Sequence, residues 1–446
     1  MASIDMLSAL PDEILSHILS FLSFKTSVST STLAARWRRL WAYAPNIQFT
    51  EDSVPCSISE RTNFLRKLTN IVSQCESHGV NTLRFNMFYF DEHEVEACLE
   101  SAFARNVKIV DLTFPYYIHS MSPCIFTSKT LVDLRIKHLH IEMNEGAVCL
   151  PALKRLRLDY VRLGCSLESL ISGCPVLEDL TLGNCLLNDG ENGECHCISS
   201  PIMKRLVLHC FLPSTSRLKM DTPALEYLEL RFIKPYNLSV GPMASLIEVH
   251  IVVCCFYPIE NDNLYSRSLV ELVGRFSNVK AMKLTIPEKK MGETLHSPMA
   301  NSIMKLDNLT KLEVEVDWWF LAYFLEKADK LKVLIIRNVY HKDNRLPWLS
   351  APLQVPLQVP NCMSSHLKIV QIHELDGTDE HELDMVRYLL KNAKVLERME
   401  LHWCEEMERH CIAELIGRIS SFDRGSEMCE IVFNEYLELG KLTLDG

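Results

Sequence analysis

The 446-residue sequence contains no run of uncharged apolar residues long enough, at about 18 residues, to form a membrane-spanning helix. Its first apolar stretch has no basic leader and is interrupted by Asp5, Pro11, Asp12, Glu13 and His17. We therefore expect no signal peptide and no membrane partner, and a location in the cytoplasm, the nucleus or both. With 48% hydrophobic and 23% charged residues, the composition is typical of a globular chain.

Positive charge is also in short supply. The chain has 46 Lys and Arg against 57 Asp and Glu, for a net charge of −11. A general nucleic-acid binder needs clustered basic side chains against phosphates, so we expect no nucleic-acid partner. The densest basic group is Arg36, Arg38 and Arg39 around Trp37, which we interpret as a solvated helix face.

Signatures of catalysis and metal binding are missing. The sequence has no Gly-rich phosphate loop, no GxSxG and no HExxH. Its 17 cysteines are odd in number and scattered, which is typical of reduced thiols that fill a core. Cys195, His196 and Cys197 lack the second ligand pair that a zinc knuckle requires. We predict a protein that is not an enzyme and has no catalytic residue, metal or cofactor.

What the sequence does contain is a repeat. Apolar residues recur at offsets 0, +3 and +5, as Leu153, Leu156 and Leu158 do in "PALKRLRLDY". The pattern starts again at Leu177, Met203, Leu225, Leu246, Val279, Leu309, Leu331, Leu367 and Leu396, with weaker copies at Val80, Val107, Leu131 and Met428. The 24 residues from Leu153 to Leu177 and the 22 from Met203 to Leu225 are typical leucine-rich-repeat spacings.

These offsets predict how each repeat folds. The residues at offsets +3 and +5 are two apart in the same strand. Their side chains therefore point to the same side of the sheet, and both enter the core. Between strands, Leu167, Leu170 and Ile171 form an apolar helical face, and Gly173 ends that helix. Stacked units of this kind predict an α/β fold: an open, curved solenoid of parallel strands with intervening helices and without an enclosed pocket.

Residues at offset +4 would project to the concave side of such a solenoid and are candidates for binding a target. They include Arg84, Arg135, Arg157, Glu229, Lys283, Glu313 and Glu400. The first half is basic and the second acidic, a polarity that would suit a partner of opposite polarity. The simpler interpretation, which we favour from the sequence alone, is that exposed strand residues are ordinarily polar.

The first 40 residues have a different pattern, which is helical and strongly apolar. Pro11 suits the first turn of a helix, and Asp12 and Glu13 complement its dipole. An apolar stripe then runs through Ile14, Leu15, Ile18, Leu19 and Leu22, widened by Phe21. Further short helices carry Val28 and Leu33, and then Trp37, Leu40 and Trp41. Three helices in about 40 residues bury little surface alone, so the excess apolar area implies a partner, either the first repeat of the solenoid or another protein.

The segment "LPDEILSHILSFL…V…L…RWRRLWAYAPNIQF" resembles the F-box, which docks substrate receptors on the Skp-type adaptor of cullin–RING ubiquitin ligases. The remainder is similar to the plant F-box/leucine-rich-repeat family. Residues 359–403, with Pro360, Cys362, Leu367, Gly377 and Leu389 among the matching letters, resemble its FBD segment. The resemblance implies a small three-helix F-box at 1–50, leucine-rich repeats at 51–345, and an FBD-like segment with terminal repeats and a cap at 346–446.

The resemblance also implies a function and its residues. The chain would be a non-catalytic substrate receptor of an SCF-type E3 ligase, holding a target protein and contacting a cullin through the adaptor. The implied adaptor-binding residues are Leu10, Pro11, Ile14, Leu15, Ile18, Leu19, Leu22, Val28, Leu33 and Trp37. One alternative is a repeat scaffold, independent of ubiquitination, whose first residues cap its own repeats. The other is a hormone or metabolite co-receptor within a ligase.

Overall fold

The structure is a computed structural model. It describes residues 10–22, 24–38, 40, 46–49, 66, 69–70, 73, 81–86, 92–118, 123–141, 147–185, 195–209, 217–232, 238–253, 262–286, 305–315, 318–337, 358–375, 377, 380–404, 407 and 409–434. Contacts divide the chain into two compact units, Met1–Thr222 and Pro223–Gly446. The predicted domain limits at 50 and 345 stay predictions.

The first unit combines helices at its start with a parallel sheet. Its α-helices are α1 (Asp12–Ser20), α2 (Phe24–Ser29), α3 (Glu92–Phe103) and α4 (Leu167–Ser172), with 3-10 helices at Thr30–Thr32, Ala35–Arg38 and Pro123–Thr127. Its strands are β1 (Asn46–Phe49), β2 (Thr82–Asn86), β3 (Ile109–Ile118), β4 (Asp133–Ile141), β5 (Arg155–Asp159), β6 (Arg162–Leu163), β7 (Asp179–Gly183), β8 (Cys195–Ser199), β9 (Arg205–His209) and β10 (Arg217–Asp221). The sheet order is β1-β2-β3-β4-β5-β7-β9, with β6 beside β4, while β8 and β10 pair separately.

The second unit repeats the strand–helix arrangement. Its helices are α5 (Asp262–Arg275), α6 (Trp318–Lys327), α7 (Asn361–Ser365), α8 (Glu380–Asn392) and α9 (Arg409–Ser420). Its strands are β11 (Tyr227–Phe232), β12 (Leu238–Val240), β13 (Glu248–Val253), β14 (Ala281–Thr285), β15 (Lys311–Glu315), β16 (Val333–Arg337), β17 (Ile369–Leu375), β18 (Arg398–Trp403) and β19 (Glu430–Asn434). From β11 the sheet runs through β13 to β19 in chain order, each neighbour parallel.

Strand register confirms the repeat. Residues at offset +3 are partners from strand to strand: Leu134 pairs with Leu156, and Leu156 pairs with Leu180. In the second unit Leu312 pairs with Leu334 in the same way. All five side chains are buried, so the residues at offset +3 form a continuous row of the hydrophobic core within each unit. The predicted fold class, a helical N-terminal segment followed by an open α/β array of parallel strands, is confirmed.

One repeat starts at a different residue from the predicted one. Met428 is 83% exposed, whereas the next residue, Cys429, is 5% exposed. The amide of Cys429 donates to the carbonyl of Ser426, the same turn that Leu153 makes with Leu150 in an earlier repeat. Ile431 still pairs with Met399, so the last repeat is one residue shorter between its turn and its strand. The assignment of Met428 was therefore wrong.

Several repeats have a residue with a positive φ angle at the same position. His138, Tyr160, Asn184 and Glu374 each lie seven residues after the start of a repeat and have positive φ angles of 50–61°. The amide of Tyr160 donates to the Gly183 carbonyl at 2.7 Å, and that of Asn184 to the His209 carbonyl at 2.6 Å. Tyr160 and Asn184 directly follow the last residue of their strands, whereas His138 and Glu374 lie within β4 and β17. The left-handed conformation thus recurs at the same position of several repeats.

Candidate functional site

The start of helix α1 is stabilised by hydrogen bonds to Pro11 and Asp12. Pro11 is the N-cap, with its carbonyl accepting from the amides of Ile14 and Leu15 at 3.1 Å, so the helix begins at Asp12. Asp12 accepts two hydrogen bonds from Arg36, at 3.0 Å from Nε and 2.6 Å from Nη2. The predicted solvated basic group thus contributes one member to an ion pair that fixes the Ala35–Arg38 turn against α1.

Part of the apolar stripe is the core of this small module. Leu15, Leu19, Trp37 and Leu40 are 0–5% exposed and pack as one cluster. Leu10, Ile18 and Ala34 pack against the cluster while staying partly exposed. The hydroxyl of Ser27 donates to the Leu19 carbonyl at 3.2 Å, which joins α2 to α1. Among the described residues, the members of this cluster all lie within residues 10–40.

The other part of the stripe faces solvent. Ile14 is 47% exposed, Phe21 77%, Leu22 37% and Leu33 66%. Ile14 lies on α1 and Phe21, seven residues later, is the C-cap of that helix, while Leu33 follows the Thr30–Thr32 turn. These four side chains are called the apolar rim below. A rim of large apolar residues on so small a module is typical of a protein contact.

The structure therefore divides the ten predicted adaptor-binding residues. Leu15, Leu19 and Trp37 are buried in the module core and are not available for direct contact. Pro11, Ile14, Leu22 and Leu33 are exposed, and Leu10, Ile18 and Val28 are partly exposed. Phe21 belongs to the predicted stripe but not to the predicted site, although at 77% it is the most exposed residue of the apolar rim. Trp41 lies outside the described residues.

The predicted target-binding residues do form rows across the strands. Arg84 pairs with Asp111, Asp111 with Arg135, and Arg135 with Arg157 in the first unit. In the second unit the register joins Glu229, His250, Lys283 and Glu313, and farther along it joins Gln371 with Glu400. Offset +4 thus marks one sheet face in each unit, and that this face binds a target stays a prediction.

The charges on these faces are interleaved, which the sequence-based polarity missed. In the second unit Glu313 lies 2.9 Å from Lys283 and 2.7 Å from Arg337. Burial alone would raise the pKa of Glu313, but the hydrogen bonds and charges of these two cations outweigh it and lower the pKa to about 2. Glu229 accepts from the Tyr227 hydroxyl at 2.8 Å, so this acidic residue is also partnered.

Two histidines on the second face were not predicted. His373 and His402 stack with ring centroids 4.3 Å apart and an interplanar angle of 9°. Burial, with Arg337 and His402 nearby, lowers the pKa of His373 to about 4, so that ring is neutral at pH 7. Each histidine follows a residue of the paired couple Ile372 and Leu401, so the regular register of β17 and β18 places the two rings side by side. Both lie at offset +6 of their repeats, a position that the repeat pattern could have marked.

The cysteines behave as the composition suggests. Burial raises the pKa of the Cys98, Cys174, Cys185 and Cys362 thiols to about 12, so these thiols stay protonated. Over the described residues, no group of three or more His, Cys, Asp and Glu is placed to hold a metal ion. The helices described here include none that is long and apolar enough to cross a membrane.

Comparison with known proteins gives matches along most of the chain. Residues 7–47 match the family model of the F-box domain, and residues 354–401 match that of the FBD. Residues 95–242 match the model described as FBD-associated F-box protein At5g56370, LRR repeats. The FBD match covers α7, β17 and α8 and ends within β18, so it spans two successive helix–strand pairs of the second unit.

Relatives in Arabidopsis thaliana extend over nearly the full length. FBD-associated F-box protein At5g27750 is 27% identical over 98% of this chain and 100% of the relative. F-box/LRR-repeat protein At3g59200 is 28% identical over 98% of this chain and 89% of the relative. Putative F-box/FBD/LRR-repeat protein At3g59240 is 29% identical over 94% of this chain and 88% of the relative.

A small helical module with an exposed apolar rim, joined to parallel-strand repeats, defines the class of F-box/leucine-rich-repeat proteins. The FBD match adds the third part, and the chain is similar over nearly its full length to plant F-box/FBD/leucine-rich-repeat proteins.

Proposed function

We propose that this chain is the substrate-receptor subunit of an SCF-type cullin–RING E3 ubiquitin ligase. The F-box docks on a Skp-type adaptor and through it on a cullin, and the repeats hold a target protein. The observation that carries the proposal is the apolar rim, because the module has its own core and still exposes Ile14, Phe21, Leu22 and Leu33.

The division of the stripe supports docking over self-capping. A segment that served only to cap its own repeats would bury its large apolar side chains against them. Here the buried residues Leu15, Leu19, Trp37 and Leu40 pack on one another. Burying apolar surface is worth roughly 25 cal/mol per Å², so a partner that covers the rim gains a substantial driving force.

The mechanism requires no catalytic side chain in this subunit. Holding a target lysine near a charged ubiquitin-conjugating enzyme raises the effective concentration of the amine at the thioester. The receptor contributes binding and orientation, and proteins of this family are typically non-catalytic.

Co-purification with a Skp-type adaptor tests the docking step. We expect the full chain to form a stable complex and Ile14→Asp to lose most of it, because the variant places an unpaired charge in the contact. Ser20→Asp is the matched control, since it adds the same charge on the opposite flank of α1 and should bind like the wild type.

Two results would contradict the proposal. One is a folded wild-type chain that shows no affinity for a panel of adaptors, which would favour the repeat scaffold independent of ubiquitination. The other is Ile14→Asp binding as tightly as Ser20→Asp, which would move the docking site away from the apolar rim.

A further inference from the structure

The sheet face of the first unit has an unusual charge balance for so acidic a chain. The positions at offsets +2, +4 and +6 alternate with the buried rows, so they share one side of the sheet. Six cations stand there: Arg84, Arg135, Lys137, Arg155, Arg157 and Arg205. Four carboxylates accompany them: Asp111, Asp133, Asp159 and Asp179. The face is net positive although the whole chain carries −11.

The carboxylates of this face are also recessed behind the cations. In the ion pairs the Asp side chains are 5–29% exposed, whereas their Arg and Lys partners are 35–51% exposed. The extreme case is Asp133, which is 5% exposed and 2.9 Å from Arg155, which is 51% exposed. The acids thus brace the bases from below, and guanidinium groups form the outer layer.

The cations form a row that runs across neighbouring strands. Neighbouring strands lie about 4.8 Å apart, and Arg135 and Arg157 are partners on adjacent strands. Arg84 lies two strands from Arg135, with Asp111 between them. In an extended peptide every second side chain faces the same way, about 7 Å apart, which lets successive carboxylates reach different arginines.

From this geometry we infer that the first-unit sheet face binds an acidic segment of the target protein, an extended stretch rich in Asp and Glu. Arginine forks bind carboxylates bidentately, and the bases already have their orientation set by the recessed acids. This inference rests on the proposed function, because the acidic segment is the part of the target that the ligase receptor would hold.

Binding of synthetic peptides to the full chain tests the inference. The probe is a fluorescent peptide of six Glu-Ser repeats, with the Gln-Ser peptide as neutral control and the Lys-Ser peptide as basic control. We expect the Glu-Ser peptide alone to bind, and its affinity to fall as salt is raised from 50 to 300 mM, since exposed charges are screened over about 10 Å at 0.1 M.

Variants locate the site. Arg135→Glu combined with Arg157→Glu should weaken Glu-Ser binding roughly tenfold or more, because both substitutions place like charges against the peptide. Arg217→Glu combined with Lys219→Glu makes the same change in net charge on β10, outside this face, and should change affinity by less than about twofold. Circular dichroism checks that both variants are folded, and Arg135→Gln with Arg157→Gln provides a milder second test.

Several outcomes would overturn the inference. They are equal binding of the Gln-Ser peptide, an equal loss in both double variants, or tighter binding of a 20-base-pair DNA duplex than of the Glu-Ser peptide at 150 mM salt. Adaptor co-purification of the same variants separates the two proposals. The face variants should bind the adaptor normally. Failure of the wild type to bind the adaptor would contradict the proposed ligase function, but it would not affect the conclusion from the peptide measurements.

Discussion

Single residues of the F-box differ in what they do although they look alike in the sequence. Leu15 and Ile14 are adjacent aliphatic residues on α1, yet the first is fully buried and the second is 47% exposed. A substitution at either one would weaken adaptor binding, by unfolding the module in the first case and by removing a contact in the second. Stability and binding must therefore be measured separately at this scale.

Trp37→Ala should destabilise the F-box module by about 3–5 kcal/mol, because it removes the largest member of the Leu15, Leu19 and Leu40 cluster. Hydrogen exchange of amides 12–40 measures this effect. Leu33→Ala, at a 66% exposed site, should leave that exchange unchanged within about 0.5 kcal/mol while weakening the adaptor complex. The division between core and rim would be misplaced if Leu33→Ala exchanged faster than the wild type, or if Trp37→Ala exchanged no faster than the wild type.

Glu313 gives the clearest pH dependence at the residue scale. Its folded-state pKa of about 2 lies below the ordinary 4.5, so its charge stabilises the fold fully above pH 4.5 and this contribution is lost as pH falls toward 2. Glu313→Gln should lower the free energy of unfolding by roughly 1–3 kcal/mol at pH 7, and by progressively less in acid. Denaturant titrations at several pH values measure the difference.

Glu315→Gln is the matched control for Glu313→Gln. Burial raises the pKa of Glu315, which opposes its ionisation, and the Thr285 hydroxyl partly offsets this. Removing that charge should be neutral or slightly stabilising at pH 7. A loss at Glu313→Gln that stayed the same from pH 7 to pH 3 would mean that packing, and not the ion triad with Lys283 and Arg337, accounts for it.

At the scale of elements, each repeat is stabilised by the way its helix ends against the neighbouring repeat. Ser166 caps α4 through a hydrogen bond from the Ser169 amide at 3.2 Å, and Gly173 ends that helix. The Gly173 carbonyl then accepts from the Leu150 amide at 2.8 Å. The φ of Gly173 is −72°, so the backbone does not demand glycine there. Space does, because an added Cβ would lie 2.5 Å from the Val148 carbonyl oxygen.

Gly173→Ala should therefore destabilise the first unit by about 1–3 kcal/mol through overpacking against backbone. Gly417→Ala makes the same chemical change inside α9, where a Cβ meets nothing within 4 Å, and should stabilise by about 0.5–1 kcal/mol. Denaturation midpoints and local hydrogen exchange compare the two. Similar effects of both variants would show that conformational entropy, rather than contact with Val148, sets the cost at Gly173.

At the scale of the whole molecule, the F-box and the repeats have separate cores within the first unit. Among the described residues, the module cluster draws all its members from residues 10–40, while the repeat core follows the leucine rows from Leu83 onward. An exposed apolar rim on a large chain promotes self-association until a partner covers it. The behaviour of the isolated chain in solution should follow from this.

We expect the full chain alone to self-associate in light-scattering measurements, and co-expression with a Skp-type adaptor to suppress this. Deleting residues 1–45, which leaves β1 paired with β2, should have the same effect as the adaptor while the repeats stay folded. Phe21→Ser combined with Leu33→Ser should reproduce it in the full-length chain. If the adaptor complex, the deletion variant and the double variant all still aggregated, the surface responsible for self-association would lie outside the apolar rim.

The sequence by itself determined the repeat and its strand register, because local periodicity encodes both, and it indicated the F-box through the resemblance of its opening segment. The +3 and +5 residues of a strand enter the core whatever lies beside them, so Leu156 and Leu180 were predictable as partners. Helix α4 and its stop at Gly173 followed from residues within one turn of each other.

Only the tertiary structure decided which side chains of the opening stripe are core and which are rim, because Trp37 and Leu40 fill one side of α1 and leave the other bare. It also decided the charge pattern of the sheet faces. Asp133 and Arg155 are 22 residues apart and meet only because parallel pairing stacks their strands. Contacts between neighbouring repeats, unlike the repeat itself, depend on distances that no local pattern records.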